Sequence, residues 1–547
     1  MESVDGPRKA CHNCRRQRLR CDRARPRCQK CVASGKECLG YGKLFTWTGA
    51  VASRGKLAGR TSSAPLASPS KATARRDPRS AFVSSRPQSG AQPGHGKLKY
   101  RTPDPNPDLN PDAVELVVRP PSNTAWNGFN RLGIVLVDPL FQDLNPFYRH
   151  YLSYFTQRLC KDLVSYDAPD RNPFRGLLPL TRDHPLLRHI VVAASAAHMS
   201  NLVKAPLQYG GKSQPHLLLP AGAEEASQRA AQDALVAKHK ALSLMRHALQ
   251  QVDATGGDII LAAALFFINI ELIESGKHGW KAHLEGAGKI MSLLQPAVAG
   301  NEALRDYISS DCFIYFILAS AFMPAAAFDA GSYFQSSRIS QILEKAAANS
   351  YLCCPPEILA ILHAASQLSN KNNDNDSSDD ISTTALSLIQ KAQSFDIGIW
   401  ANDVRQVSYL QHVSVQSRIH TGSAHRIAAC LYILQAIPNL RAIPGHDDLA
   451  KTLSDDLFRH LSSVPEEDVN FKATAWPTFI AGAEASTLDR RAWVMDRLQK
   501  LVVSCPWGFL YTAMDTLQII WHLDSQSDGA RSWVQTLKDP NLNFLIV

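Results

Sequence analysis

The sequence predicts three unlike parts in one chain: a small cysteine-rich metal module of two short helix units, a disordered linker, and a large all-α domain. Three observations carry this. Six cysteines crowd into the first 38 residues. The basic charge sits at one end: residues 1–60 hold 15 Lys+Arg against 4 Asp+Glu, and the remaining 487 residues hold 44 against 45. From about residue 125 the apolar residues recur at helical spacing, and strand-like alternation is scarce. At 547 residues the chain is too long for one core, so two or more structural units are expected.

Residues 1–7 show no pattern and read as disordered. Residues 8–40 hold Cys11, Cys14, Cys21, Cys28, Cys31 and Cys38, in which C-x2-C-x6-C is written twice. Thiols this dense, threaded with arginine, are metal ligands. One tetrahedral zinc takes four ligands, so six cysteines overfill one site and underfill two. Eight ligand positions arise if two thiolates bridge. The repeat makes Cys11 and Cys28 equivalent and nominates them as the bridges. One Zn2+ then takes Cys11, Cys14, Cys21 and Cys28, and the other takes Cys28, Cys31, Cys38 and Cys11. With so little apolar material, the metals must supply most of the folding free energy, on the order of 10 kcal/mol or more. The basic balance predicts a polyanion-binding head on a neutral body.

Residues 41–60 form a basic arm carrying Tyr41, Phe45 and Trp47, with Arg54, Lys56 and Arg60 available for backbone or minor-groove contacts. Eleven of the 32 prolines fall between 61 and 121, and bulky apolar residues are few. Such a stretch cannot offset its chain entropy, and 61–124 reads as a disordered linker.

Residues 125–547 read as one all-helical domain. Leu186–Val203 follows Asp183 and Pro185, a start signal, and is apolar nearly all round. Leu235, Leu242, Met245, Leu249 and Val252 mark one face of an amphipathic helix closed by Gly256-Gly257. Asp258 is expected to cap the next helix, which carries the apolar run Ile259–Ile268. That run and Cys312–Met323 fall short of the roughly 18 apolar residues of a membrane span and read as buried helices. Ala492–Val503 and the stretch to Trp521 continue the pattern. A polar acidic loop is expected near 370–380. No secretory signal is visible, and a reducing compartment is expected. The six scattered cysteines, Cys160, Cys312, Cys353, Cys354, Cys430 and Cys505, read as small buried hydrophobes.

The run CHNCRRQRLRCDRARPRCQKCVASGKEC resembles the fungal Zn2Cys6 binuclear-cluster family of transcription factors in spacing, in the basic run before the third cysteine, in Asp22 and in Pro26. The arm, the segment Tyr151–His198 and WKAHLEGAGKI at Trp280–Ile290 are similar to the helical regulatory domain of the branch that includes the acriflavine sensitivity control protein. The resemblance implies a nuclear transcription regulator that reads CGG-type triplets in double-stranded DNA and works with the transcription machinery. Only the first half-motif has a cationic helix, which is expected to enter the major groove. Arg18 matches the family position that reads guanine, a bidentate contact worth about 1–3 kcal/mol of discrimination. Gln17 departs from the basic residue often found beside it. Arg15, Arg16, Arg20 and Arg23 are expected on phosphates. Residues 40–125 carry no leucine heptad, which leaves a monomer on DNA or a homodimer made through the helical domain. No membrane partner is expected.

Two rival classes fit the sequence less well. A zinc-dependent protein-interaction scaffold would mix histidine among its ligands, and His12 stands at a non-ligand position. An enzyme is disfavoured: Gly211-Lys212-Ser213 lacks the first glycine of a phosphate loop, with Pro206 in its place, and no HExxH or G-x-S-x-G occurs. His283, Trp280 and Phe266-Phe267 read as packed side chains.

Overall fold

The structure is a computed structural model. It describes residues 10–24, 28–34, 38, 141, 143–202, 222–252, 256–294, 302–324, 339–370, 378–524, 532–539 and 542–547. The expected disordered start, basic arm, linker, Pro206–Ser213 segment and the body of the acidic loop lie outside these residues. The chain divides into two units, Met1–Val117 and Val118–Val547.

In the first unit the described residues form two short helices, α1 (His12–Arg16) and α2 (Gln29–Ala33). The second unit is helical. Its larger helices are α3 (Pro146–Tyr154), α4 (Pro185–Asn201), α5 (Ala223–Ala248), α6 (Gly257–Glu274), α7 (Trp280–Leu293), α8 (Glu302–Ala321), α9 (Ile339–Ala346), α10 (Pro356–Asn370), α11 (Ser378–Ser394), α12 (Ile397–Asp403), α13 (Gln416–Ala436), α14 (His446–Ser462), α15 (Ala475–Ala483), α16 (Leu488–Ser504) and α17 (Phe509–Asp524). Among the described residues there is no strand, only an isolated bridge between Val164 and Ser350. None of the described helices is long and apolar enough to cross a membrane.

Two helices buried nearly all round organise this domain. α6 is buried from Ile259 to Ile273 and is wrapped by α4, α5, α7, α8 and α17. α13 plays the same part for α10, α11, α12, α14 and α15. α8 joins the two neighbourhoods by touching α6, α9 and α10. The polar residues that end the apolar run of α6 are answered from outside. Tyr315 donates its hydroxyl to Asn269 at 2.7 Å, and Lys238 reaches Glu271 at 2.9 Å and Glu274 at 2.8 Å. Burial of the two glutamates is tolerated because Lys238 answers both, and Asn269 is answered at its oxygen. Trp280, Phe266 and Phe267 are wholly buried, and five of the six scattered cysteines are buried, with Cys505 half-buried.

Three local expectations are corrected. Asp258 does not cap α6. Gly256, at φ 87°, holds the cap position, and Asp258 lies in the first turn, where Arg305 grips it with two hydrogen bonds of 2.6 and 2.7 Å. Pro185 opens α4 as expected, but the residue before it is His184 and makes no side-chain cap. The largest difference concerns α5. Its buried residues are Ala230, Ala234, Ala237, Ala241 and Ala248, while Leu235 is 62% exposed, Leu242 41% and Leu249 50%. α5 runs along α4, itself rich in buried alanine, and small side chains on both helices permit close approach of the backbones. The leucine row is turned aside.

Candidate metal centre and nucleic-acid face

The two half-motifs fold the same way. Cys11 caps α1, its sulfur accepting the N–H of Cys14 at 3.4 Å, and Cys28 caps α2, its sulfur accepting the N–H of Cys31 at 3.3 Å. The N–H of Cys11 donates to the sulfur of Cys21 at 3.4 Å, and that of Cys28 donates to the sulfur of Cys38 at 3.4 Å. Each half therefore wraps its third cysteine back onto its first. Asp22 ties the copies together: its carboxylate accepts the N–H groups of Gln29 at 2.9 Å and Lys30 at 3.5 Å at the open start of α2. The Gln29 N–H is the main cause that holds the Asp22 carboxyl below its ordinary range. Burial pushes up the thiols of Cys11, Cys14 and Cys28, and Cys31 is raised most by its bond with Cys28. Burial also opposes the Cys21 thiolate, but the N–H groups of Cys11 and Arg23 outweigh it and bring the thiol down to about 7.

The sulfurs gather into two overlapping quartets, Cys11-Cys14-Cys21-Cys28 and Cys11-Cys28-Cys31-Cys38, each with its ligand atoms within 4.8 Å of one another. Sulfurs sharing a tetrahedral zinc at a bond length near 2.3 Å should lie about 3.8 Å apart. The structure has Cys14–Cys28 at 3.8 Å, Cys11–Cys31 at 3.7 Å and Cys11–Cys28 at 3.5 Å. The residues common to both quartets are the pair at 3.5 Å. The donor set and spacing fit two zinc ions, which when bound hold the thiols as thiolates and fix both helices.

The expected cationic helix is shorter than the basic run. α1 ends at Arg16, and Gln17 is its C-cap. Arg18 then takes φ 54°, Arg18 N–H bonds to the carbonyl of Arg15 at 3.3 Å and Leu19 N–H to that of Cys14 at 2.8 Å, a Schellman turn. The turn stops the helix so that Cys21 can return to the cluster. Arg15, Gln17, Arg18, Arg20 and Arg23 are exposed, and Arg16 lies on the last turn of α1.

Arg23 also has positive φ, 62°. The repeat offset is 17 residues, which aligns Arg18 with Gly35 and Arg23 with Gly40. Glycine adopts this conformation freely, whereas another L-residue pays roughly 1–2 kcal/mol. The first half thus carries two guanidinium groups on backbone positions that glycine occupies in the second half's sequence. Aligning the halves would have exposed this signal, which spacing alone does not. The capping role of Asp22 was likewise not read from the sequence.

Cysteine framework and helical body together define a zinc-cluster regulator of transcription. Residues 9–47 match the fungal Zn(2)-Cys(6) binuclear cluster domain, and residues 150–547 match the fungal specific transcription factor domain. The chain belongs to this family of fungal Zn2Cys6 transcription factors, and that membership implies a non-enzymatic regulator. It is 35% identical over 459 residues to the acriflavine sensitivity control protein acr-2 of Neurospora crassa, covering 81% of this chain and 73% of that one. It is 22% identical over 287 residues to the phomenoic acid biosynthesis cluster-specific transcriptional regulator of Leptosphaeria maculans, covering 50% of this chain and 53% of that one. No solved structure matches.

Proposed function

We propose that this protein is a nuclear, sequence-specific activator or repressor that reads a CGG-type triplet through the first half of its zinc cluster. The observation that carries this reading is Arg18, an exposed arginine held at φ 54° where the repeat has glycine. A strained position filled by a long cationic side chain is best accounted for by what that side chain touches. Arginine can grip guanine O6 and N7 together. Arg15, Arg16, Arg20 and Arg23 surround it as phosphate contacts that set register, and Gln17 sits at the helix end beside them. Cys11 and Cys28, common to both sulfur quartets, would be shared by the two zinc ions and would hold both helices together as one wedge. The relative named as a cluster-specific regulator supports control of a biosynthetic gene set as the biological output. Pairing on DNA, if it occurs, uses the helical domain.

Mobility shift with CGG-containing and scrambled duplexes tests the reading. Arg18→Ala is expected to cost about 1–3 kcal/mol on the CGG site and little on scrambled DNA. Arg15→Ala or Arg20→Ala is expected to weaken both and to lower the salt slope by about one unit. Equal losses for Arg18→Ala on both duplexes would remove Arg18 from base reading.

A further inference from the structure

α5 carries a leucine repeat that its own fold does not bury. Leu235, Leu242 and Leu249 recur at the heptad interval, and Gln232, His239 and Arg246 fill the alternate positions of the same seam. From Gln232 to Leu249 the steps alternate between three and four residues, as in a coiled coil with leucine at d and polar residues at a.

Among the described residues, α4 covers the alanine edge of α5, and α6 meets the helix over a shorter stretch. Helical geometry places the leucine row about 120° round from that edge. Leu242 and Leu249 border a cleft shared with α7, yet both stay exposed, as do Leu235 and its neighbour Val236. Three leucines and a valine in line over about 20 Å form a contiguous apolar strip, which marks a protein contact rather than scattered surface residues.

The charges along the helix identify the occupant. The first turn holds the exposed acids Glu224 and Glu225, and the last turn holds the exposed bases Arg246 and His247. The helix is therefore its own electrostatic complement when reversed. A two-fold axis through the middle of α5, near Leu235, sets Glu225 of one copy beside Arg246 of the other, twice over, and the leucine rows meet at the axis. A parallel pair would instead stack Arg246 on its own copy, and like charge disfavours it.

We infer that a second copy of this chain docks on α5, helix against helix in antiparallel register, so that the helical domain forms a two-fold dimer. This deepens the reading above by naming the surface used for pairing. Self-association is measured without DNA, so its failure leaves the CGG reading untouched.

Sedimentation velocity of the full-length zinc-loaded protein tests it. One helix per copy buries less than a standard interface of about 1,600 Å², so a reversible shift from monomer to dimer is expected between about 1 and 100 µM. Leu235→Arg places two guanidinium groups at the axis. It should raise the dissociation constant by at least about tenfold, with helical circular dichroism and zinc content unchanged because the leucine is exposed. The ends of the helix supply a second test that leaves the apolar strip alone. Glu225→Lys and Arg246→Glu should each weaken the dimer severalfold, and the double variant should recover most of the loss, since each pair is rebuilt with its signs exchanged. A protein that stays monomeric to about 100 µM overturns the proposal. A dimer that Leu235→Arg and Leu242→Arg leave intact overturns α5 as the surface, and charge variants that do not recover in combination overturn the antiparallel register.

Discussion

In residues 10–38 every fully buried side chain among the described residues is a cysteine, namely Cys11, Cys14, Cys28 and Cys31. In the helical domain the corresponding places are held by side chains such as Phe266, Phe313, Trp280 and Trp476, gathered with α6 and α13 into one continuous core. The first region is closed by ligand chemistry, the second by removal of hydrocarbon from water. The difference means that each region should fail under a stress the other survives.

Chelation should separate them most sharply. Stripping zinc removes on the order of 10 kcal/mol from the head and is expected to unfold it while the helical signal of the body persists in circular dichroism. Within the head, Cys28→Ser should lose both ions and Cys38→Ser one, read by native mass spectrometry; two zincs retained in Cys28→Ser would end the bridging scheme. The converse stress is Phe266→Ala, which empties the middle of α6 and should cost about 3–5 kcal/mol of body stability in a denaturant melt, with zinc content unchanged.

Acid sharpens the comparison from the body's side. His425 is buried, stacked on Trp476 and donates from Nε2 to the carbonyl of Ala473 at 3.0 Å. Burial lowers its pKa from 6.5 to about 4. Its contribution is complete above pH 6.5 and is lost as the pH falls toward 4, where the unfolded chain takes up a proton that the folded one refuses. The loss should reach roughly 3 kcal/mol, visible as a falling thermal midpoint of the body between pH 7 and 4.5. His425→Gln should reduce that slope without abolishing it, because burial lowers His283 and His460 to about 4 as well; an unchanged slope assigns the acid sensitivity elsewhere.

The smallest effect compares the two halves of the head. Arg18→Gly restores the residue that the repeat carries at 35, and should stabilise the zinc-loaded fold by about 1 kcal/mol, roughly a fivefold shift in a chelator titration. It should also erase preference for CGG. Gain of fold with loss of reading would show that the strain belongs to recognition.

The metal quartets were legible from the sequence because ligand chemistry tolerates no substitutes: spacing and count determine which sulfurs can meet. The helical class and the buried runs of α6 and α8 were legible because long apolar periodicity has few other meanings. What escaped was where packing chose between two acceptable faces. On α5 the leucines look like the core stripe by hydropathy, yet alanine won the contact with α4 through steric fit, which depends on the partner helix. Asp258 escaped for a similar reason, since its partner Arg305 lies 47 residues away. Arg18 was placed as a reader by resemblance, but its left-handed backbone follows from the return of Cys21, a tertiary demand.

The alanine seam between α4 and α5 has a mechanical consequence. Interlocked long side chains can absorb a displacement by changing rotamer, whereas methyl groups have no such slack. The seam between α5 and α4 therefore has less side-chain slack than an interface of long side chains would have, which favours stiff coupling over cushioning.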